Sequence, residues 1–132
     1  MPMVKLVEYQ EASSEVRAVF DEIMATRRTD WVNNFWKVLA SHPPTMRRIW
    51  ESVKQVMASG ALDPLTKEML YIAVSVTNAC EYCIHSHTAA ARAKGMTDAQ
   101  LAELLAVVGL ANQTNALADG YRVPVDPQFV PR

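Results

Sequence analysis

Asp63-Pro64-Leu65-Thr66-Lys67-Glu68-Met69-Leu70-Tyr71-Ile72-Ala73-Val74-Ser75-Val76-Thr77 runs directly into Asn78-Ala79-Cys80-Glu81-Tyr82-Cys83-Ile84-His85-Ser86-His87. An aspartate followed by proline is the chemistry of a helix start. The carboxylate accepts a first-turn amide, and proline gives up a donor that would have no partner there. From Leu65 to Val76 the segment is apolar around most of its circumference, interrupted by Glu68, so a helix central to the core is expected as far as about Thr77. Asn78 is expected to cap the next helix, with Glu81 three residues on completing a capping-box-like pair. Lys94-Gly95 is expected to stop that helix as a glycine C-cap.

Outward from this pair, helical periodicity continues and no convincing strand appears. Val16, Val19, Phe20, Ile23 and Met24 form one apolar stripe after the start signal Ser13-Ser14, and Met46, Ile49, Trp50, Val53 and Met57 form another. Trp31 to Leu39 predicts a shorter helix ended by the breaker Ser41-His42-Pro43-Pro44, and Gly60-Ala61-Leu62 predicts a turn. Thr97-Asp98-Ala99-Gln100 is a capping box opening a helix with Leu101, Leu104, Leu105 and Val108 on one face. The tail from about Tyr121, with Pro124, Pro127 and Pro131, reads as extended. Trp31, Trp36 and Trp50 and the methionines read as core and interface packing. The fold class expected is all-α: residues 1–132 as a single-domain helical bundle with one core, half of the chain being apolar. The apolar stretches 69–76 and 101–111 exceed what one short protomer buries, which predicts oligomerisation through apolar helices.

Thirteen basic residues against fourteen acidic ones leave a formal charge of -1, and basic clusters do not exceed the pairs Arg27-Arg28 and Arg47-Arg48. Nucleic acid and anionic membrane are therefore not expected partners. Met69 to Val76 falls far short of the roughly 18 apolar residues needed to span a bilayer. Met1-Pro2-Met3-Val4-Lys5 begins no signal peptide, and a cytoplasmic location is the default expectation. In that reducing compartment two closely spaced cysteines are better explained by redox chemistry or metal binding than by a structural disulfide.

Cys80 and Cys83 are the only cysteines. Residues at i, i+3 and i+7 share a helix face, so Cys80, Cys83 and His87 should project together. Two such thiols can form and break a disulfide during a reaction cycle, and a histidine one turn from Cys83 can help deprotonate it. First-turn amides and the helix dipole favour Cys80 as the more acidic thiol, whereas the histidine at i+4 favours Cys83. An antiparallel return through Asn78-Ala79 would bring Glu68 beside Cys83, where desolvation would raise its affinity for a proton and make it a proton acceptor near neutral pH. His85 points to the opposite side of the helix and is read as bland. The rival from another class is a metal-binding or structural module, with Glu68, Cys80, Cys83 and His87 as four zinc ligands, although structural sites usually draw ligands from separate loops.

Glu68, eleven further residues and then Cys80-x-x-Cys83-x-x-x-His87 together resemble the signature of AhpD-like alkylhydroperoxidases in the carboxymuconolactone decarboxylase superfamily. Leu39-Ala40-Ser41-His42-Pro43, Gly60-Ala61-Leu62-Asp63 and His87-Thr88-Ala89-Ala90-Ala91-Arg92-Ala93-Lys94-Gly95 are similar to the same framework, so the resemblance covers about residues 30–112. It implies an all-helical fold assembled as a homotrimer or homohexamer. It further implies a small hydroperoxide as substrate, Cys83 as the peroxidatic thiolate, Cys80 as the resolving thiol, and Glu68 as the base acting through His87 or a water. No bound cofactor is implied; an external dithiol, such as a lipoyl-carrying protein or a peroxiredoxin partner, would re-reduce the disulfide. Tyr82 stands where the best-known peroxidase members have a histidine, which implies an altered relay in which the phenol hydrogen-bonds instead. Decarboxylase members generally lack the paired cysteines, so lactone decarboxylation is the lesser enzymatic reading.

Overall fold

Side-chain caps set the starts of the helices. In a computed structural model describing residues 1–132, Ser13 accepts the Val16 amide, Asp63 the Thr66 amide and Thr97 the Gln100 amide, the last completed as a full capping box by Gln100. Six α-helices follow in order: α1 Ser14–Arg27, α2 Asn34–Leu39, α3 Pro43–Met57, α4 Pro64–Thr77, α5 Glu81–Ala93 and α6 Asp98–Gly120. Short 3-10 turns lie at Tyr9–Glu11 and Pro127–Phe129, and there is no strand. The all-α expectation holds. The chain falls into two compact units, Met1–Ala58 and Ser59–Arg132.

In the first unit α1 and α2 both pack on α3. The apolar stripe expected on α1 is buried, with Phe20 and Ile23 fully so, against Trp36, Met46 and Trp50. Trp36 and Trp50 meet edge to face at 5.4 Å, the arrangement that aligns a positive ring edge with a negative face. Glu22 and Lys54 pair between α1 and α3, as do Glu15 and Arg47. Two expectations are corrected here. Trp31 lies outside α2 and is 63% exposed. Pro43 also opens α3 rather than only ending the helix before it: His42 Nδ1 accepts the Thr45 amide at 3.3 Å, and proline at the first helical position loses no hydrogen bond.

In the second unit α4 packs against both α5 and α6. Ile72, Ala91 and Met96 form the buried centre, with Leu65, Met69, Val76, Leu101 and Leu104 partly buried around it. The turn between α4 and α5 corrects the expected cap. Asn78 closes α4, and Cys80, not Asn78, caps α5. Ala79 takes the left-handed conformation at φ 55, its amide reaching Val76 O at 3.2 Å while the Cys80 amide reaches Ser75 O at 3.0 Å. These two bonds define a Schellman motif with alanine in the place glycine usually fills. The end of α4 and the start of α5 thus share three residues, so α5 returns along α4 immediately.

The close of α5 uses the same device with its usual residue. Gly95 has φ 100, and the Met96 amide bonds Ala91 O at 3.0 Å. Met96 and Ala91, both buried, supply the apolar contact that accompanies this motif.

Candidate active site

Because α5 folds straight back, Glu68 in the second turn of α4 meets the middle of α5. Glu68 is buried, 6% exposed, and accepts a hydrogen bond at 2.7 Å between Oε2 and His87 Nδ1. Its other oxygen, Oε1, faces Lys94 Nζ at 3.4 Å. Lys94, the C-cap of α5, follows His87 by seven residues, so both share the face turned to α4. The ring of His87 is stacked on that of Tyr71, with centroids 3.6 Å apart and planes inclined by 18°. Tyr71 is three residues after Glu68, so one face of α4 holds both the edge and the face of the imidazole.

Cys80 and Cys83 are joined as a disulfide across the first turn of α5, with Cα atoms 5.3 Å apart. Cys80 Sγ also receives the Cys83 amide at 3.3 Å as the helix cap. The sulfur pair thus sits where the unpaired amides and the positive end of the helix dipole favour a thiolate. Cys83 lies one turn before His87 and on the same side of the helix. Tyr82 is exposed. His85 is nearly opposite, lining an open apolar groove of ≈ 390 Å³ with Ile72, Ile84, Thr88, Arg92 and Leu101.

One electrostatic expectation is reversed. Burial does push the Glu68 carboxyl up, but the hydrogen bond from His87, the charges of His87 and Lys94, and the hydrogen bond from Lys94 outweigh it. Together they hold the group below the ordinary carboxylate value. Glu68 is therefore ionised at neutral pH and only accepts. With the carboxylate as acceptor, the proton between it and His87 belongs to Nδ1, so that a ring carrying a single proton has Nε2 as its acceptor. No three His, Cys, Asp or Glu side chains converge in the manner of a metal site.

Sequence reasoning brings together Glu68, Cys80, Cys83 and His87 and misses Tyr71 and Lys94. Both carry a signal. Tyr71 follows Glu68 at i+3, and Lys94 follows His87 at i+7, so helical phase alone puts each on the right face.

The sequence pattern of the carboxymuconolactone decarboxylase family matches residues 43–126. Over its whole length the chain superposes on the alkylhydroperoxidase AhpD core from Rhodospirillum rubrum, with a TM-score of 0.96 and 58% identity, covering 99% of that chain. An uncharacterised protein in the cox locus of Paracoccus denitrificans is 38% identical over 49% of this chain and 65% of its own length. An alkyl hydroperoxide reductase AhpD from Solibacter usitatus is 34% identical over 55% of this chain and 40% of its own length. The chain thus spans less than two thirds of either of these two relatives.

Proposed function

We propose that this chain, which belongs to the carboxymuconolactone decarboxylase family and is AhpD-like in sequence and fold, reduces small hydroperoxides through the Cys80 and Cys83 thiols. The observation that carries the reading is the conjunction of a first-turn cysteine pair at disulfide distance with a histidine whose Nδ1 is held by an ionised glutamate. In the reduced protein, Nε2 of His87 takes the Cys83 proton. The thiolate attacks the outer oxygen of the hydroperoxide, the O–O bond breaks, and the departing alkoxide takes the proton back from His87 to leave as an alcohol. Cys83 is then a sulfenic acid. Cys80 attacks it, the disulfide forms and water leaves. An external dithiol, of the lipoyl kind or on a protein partner, restores both thiols as it is itself oxidised to a disulfide.

Glu68 in this reading sets the tautomer of His87 and stabilises the imidazolium, the part a carboxylate plays in a catalytic triad. It is the base only through His87. Assignment of attack to Cys83 rests on its neighbour His87, and of resolution to Cys80 on its place three residues away. Association into a trimer or hexamer belongs to the same proposal.

Anaerobic reduction, addition of one equivalent of an alkyl hydroperoxide and mass spectrometry of the peptide spanning the two cysteines test it. A Cys80–Cys83 disulfide is expected in the wild type, and Cys80→Ser is expected to accumulate sulfenic acid or its overoxidised forms on Cys83. Cys83 left reduced in that variant, with oxidised sulfur accumulating on Cys80 in Cys83→Ser, would reverse the roles. Two thiols unreactive to peroxide, with zinc at one per chain, would replace the redox reading by a metal site.

A further inference from the structure

We infer that Tyr71 is a positioning residue for the thiol chemistry, holding the plane of the His87 ring and stabilising that ring while it carries the thiol proton. The inference rests on the reading of His87 as the proton acceptor for Cys83.

A hydrogen bond from Nδ1 to Glu68 fixes one point on the imidazole edge, but the ring can still swing about the line of that bond. Stacking on Tyr71 at 3.6 Å removes this last freedom. The overlap is also informative in itself. Two neutral aromatic rings prefer to be offset or edge to face, because face-centred overlap sets their negative faces against each other. A cation over a phenol ring prefers that overlap. With centroids 3.6 Å apart and planes within 18°, the geometry suits the protonated ring better than the neutral one. It is thus matched to the moment after the thiol has lost its proton.

The charged and titratable groups around the ring agree with this. From α4, Glu68 and Tyr71 face it; on α5, Cys83 precedes it by one turn and Lys94 stands beyond Glu68. Lys94 tethers the far oxygen of the carboxylate, so Glu68 cannot turn away from the imidazole without giving up a second partner. Tyr71 is 40% exposed, and replacing it removes little core packing, which makes its contribution to the ring separable from any contribution to folding.

The test uses the full-length reduced protein and two variants, Tyr71→Phe and Tyr71→Leu, with circular dichroism as the folding control. Proton–carbon spectra of the histidine rings report the stack directly, because a ring proton over an aromatic face is shifted upfield; His87 is assigned by its loss in His87→Asn, leaving His42 and His85 as references. The upfield position should persist in Tyr71→Phe and vanish in Tyr71→Leu. The rate of disulfide formation with an alkyl hydroperoxide should fall about tenfold at neutral pH in Tyr71→Leu and stay within about twofold in Tyr71→Phe, the range expected for loss or retention of a cation–π contact. The acid limb of the pH profile in Tyr71→Leu should move to lower pH, since a less stabilised imidazolium gives up its proton more readily and the free base persists further into acid. A folded Tyr71→Leu that loses the upfield shift yet keeps the wild-type rate and profile overturns the positioning role. Tyr71→Phe slowed as much as Tyr71→Leu overturns it too, because the hydroxyl and not the stack would then be acting. If His87→Asn reacts as fast as the wild type, the underlying site reading falls and this role falls with it, while the spectra still record whether the rings are stacked.

Discussion

Glu68 shows at the scale of one residue how a partner decides what a buried charge does. Burial alone would have made it a proton acceptor near neutral pH, and replacing it by the neutral amide would then relieve a cost. Paired with His87 and Lys94, it has its carboxyl held below the ordinary value instead, so the folded state favours the ionised form. The sign of the linkage follows. Its stabilising contribution is fully present above the ordinary carboxylate value of about 4.3 and is lost as pH falls below it through the depressed value. Glu68→Gln should therefore lower stability at pH 7 by about 1 kcal/mol, the cost of exchanging a charge-assisted hydrogen bond for a neutral one. The difference should close in denaturant titrations below about pH 4. The same variant should slow peroxide-driven disulfide formation by roughly 10²-fold, as removal of a tautomer-fixing anion weakens general-base catalysis. Unchanged rates across the neutral range in the folded variant would make Glu68 a purely structural residue.

Among the elements, the hairpin of α4 and α5 carries the site, and its joint is the informative part. Arg28, Ala79 and Arg122 all have φ near 55 at the ends of α1, α4 and α6, and Thr29, Cys80 and Val123 each return an amide to a carbonyl in the last turn. The chain thus ends three helices with non-glycine residues in a conformation that crowds a Cβ against the following carbonyl. At Ala79 this places the Cys80 sulfur on the first amides of α5 with only a three-residue connection. Ala79→Gly should raise stability by roughly 0.5 to 1 kcal/mol, since glycine adopts this conformation without strain but gives back some of the gain as unfolded-state entropy. The disulfide-forming rate should stay as it was. A loss of stability on thermal or chemical unfolding would show that Ala79 makes contacts worth more than its strain.

At the scale of the whole molecule, the second unit leaves much of its apolar surface uncovered. Val107 and Leu110 on α6 are 66% and 62% exposed, and Leu70 and Val74 on α4 are exposed as well. No helix is long and apolar enough to cross a membrane. Self-association would bury these faces. Light scattering should give the mass of a trimer or hexamer at micromolar concentration, and Leu110→Glu should shift it toward smaller species by placing a charge where a partner's side chains would pack. A stable wild-type monomer would end this expectation.

Local chemistry makes several features legible in the amino-acid sequence by itself. Helix starts can be read from Asp63-Pro64, Ser13 and Thr97, because capping by a side chain three residues away depends on nothing distant. The periods of α1, α3 and α4 are legible for the same reason, and so is the place of Cys83 one helical turn before His87 on α5. Among the helix ends, Gly95 is legible because its residue type advertises the left-handed turn; Ala79 gives no such sign, and the cap of α5 therefore falls two residues later than Asn78 suggests. Tertiary structure alone decides the charge of Glu68 and the surroundings of His87. The sign of a buried group's shift is the difference between desolvation and its partners, and those partners, Lys94 and His87 from α5 against Glu68 and Tyr71 from α4, meet only when the two helices fold back on each other.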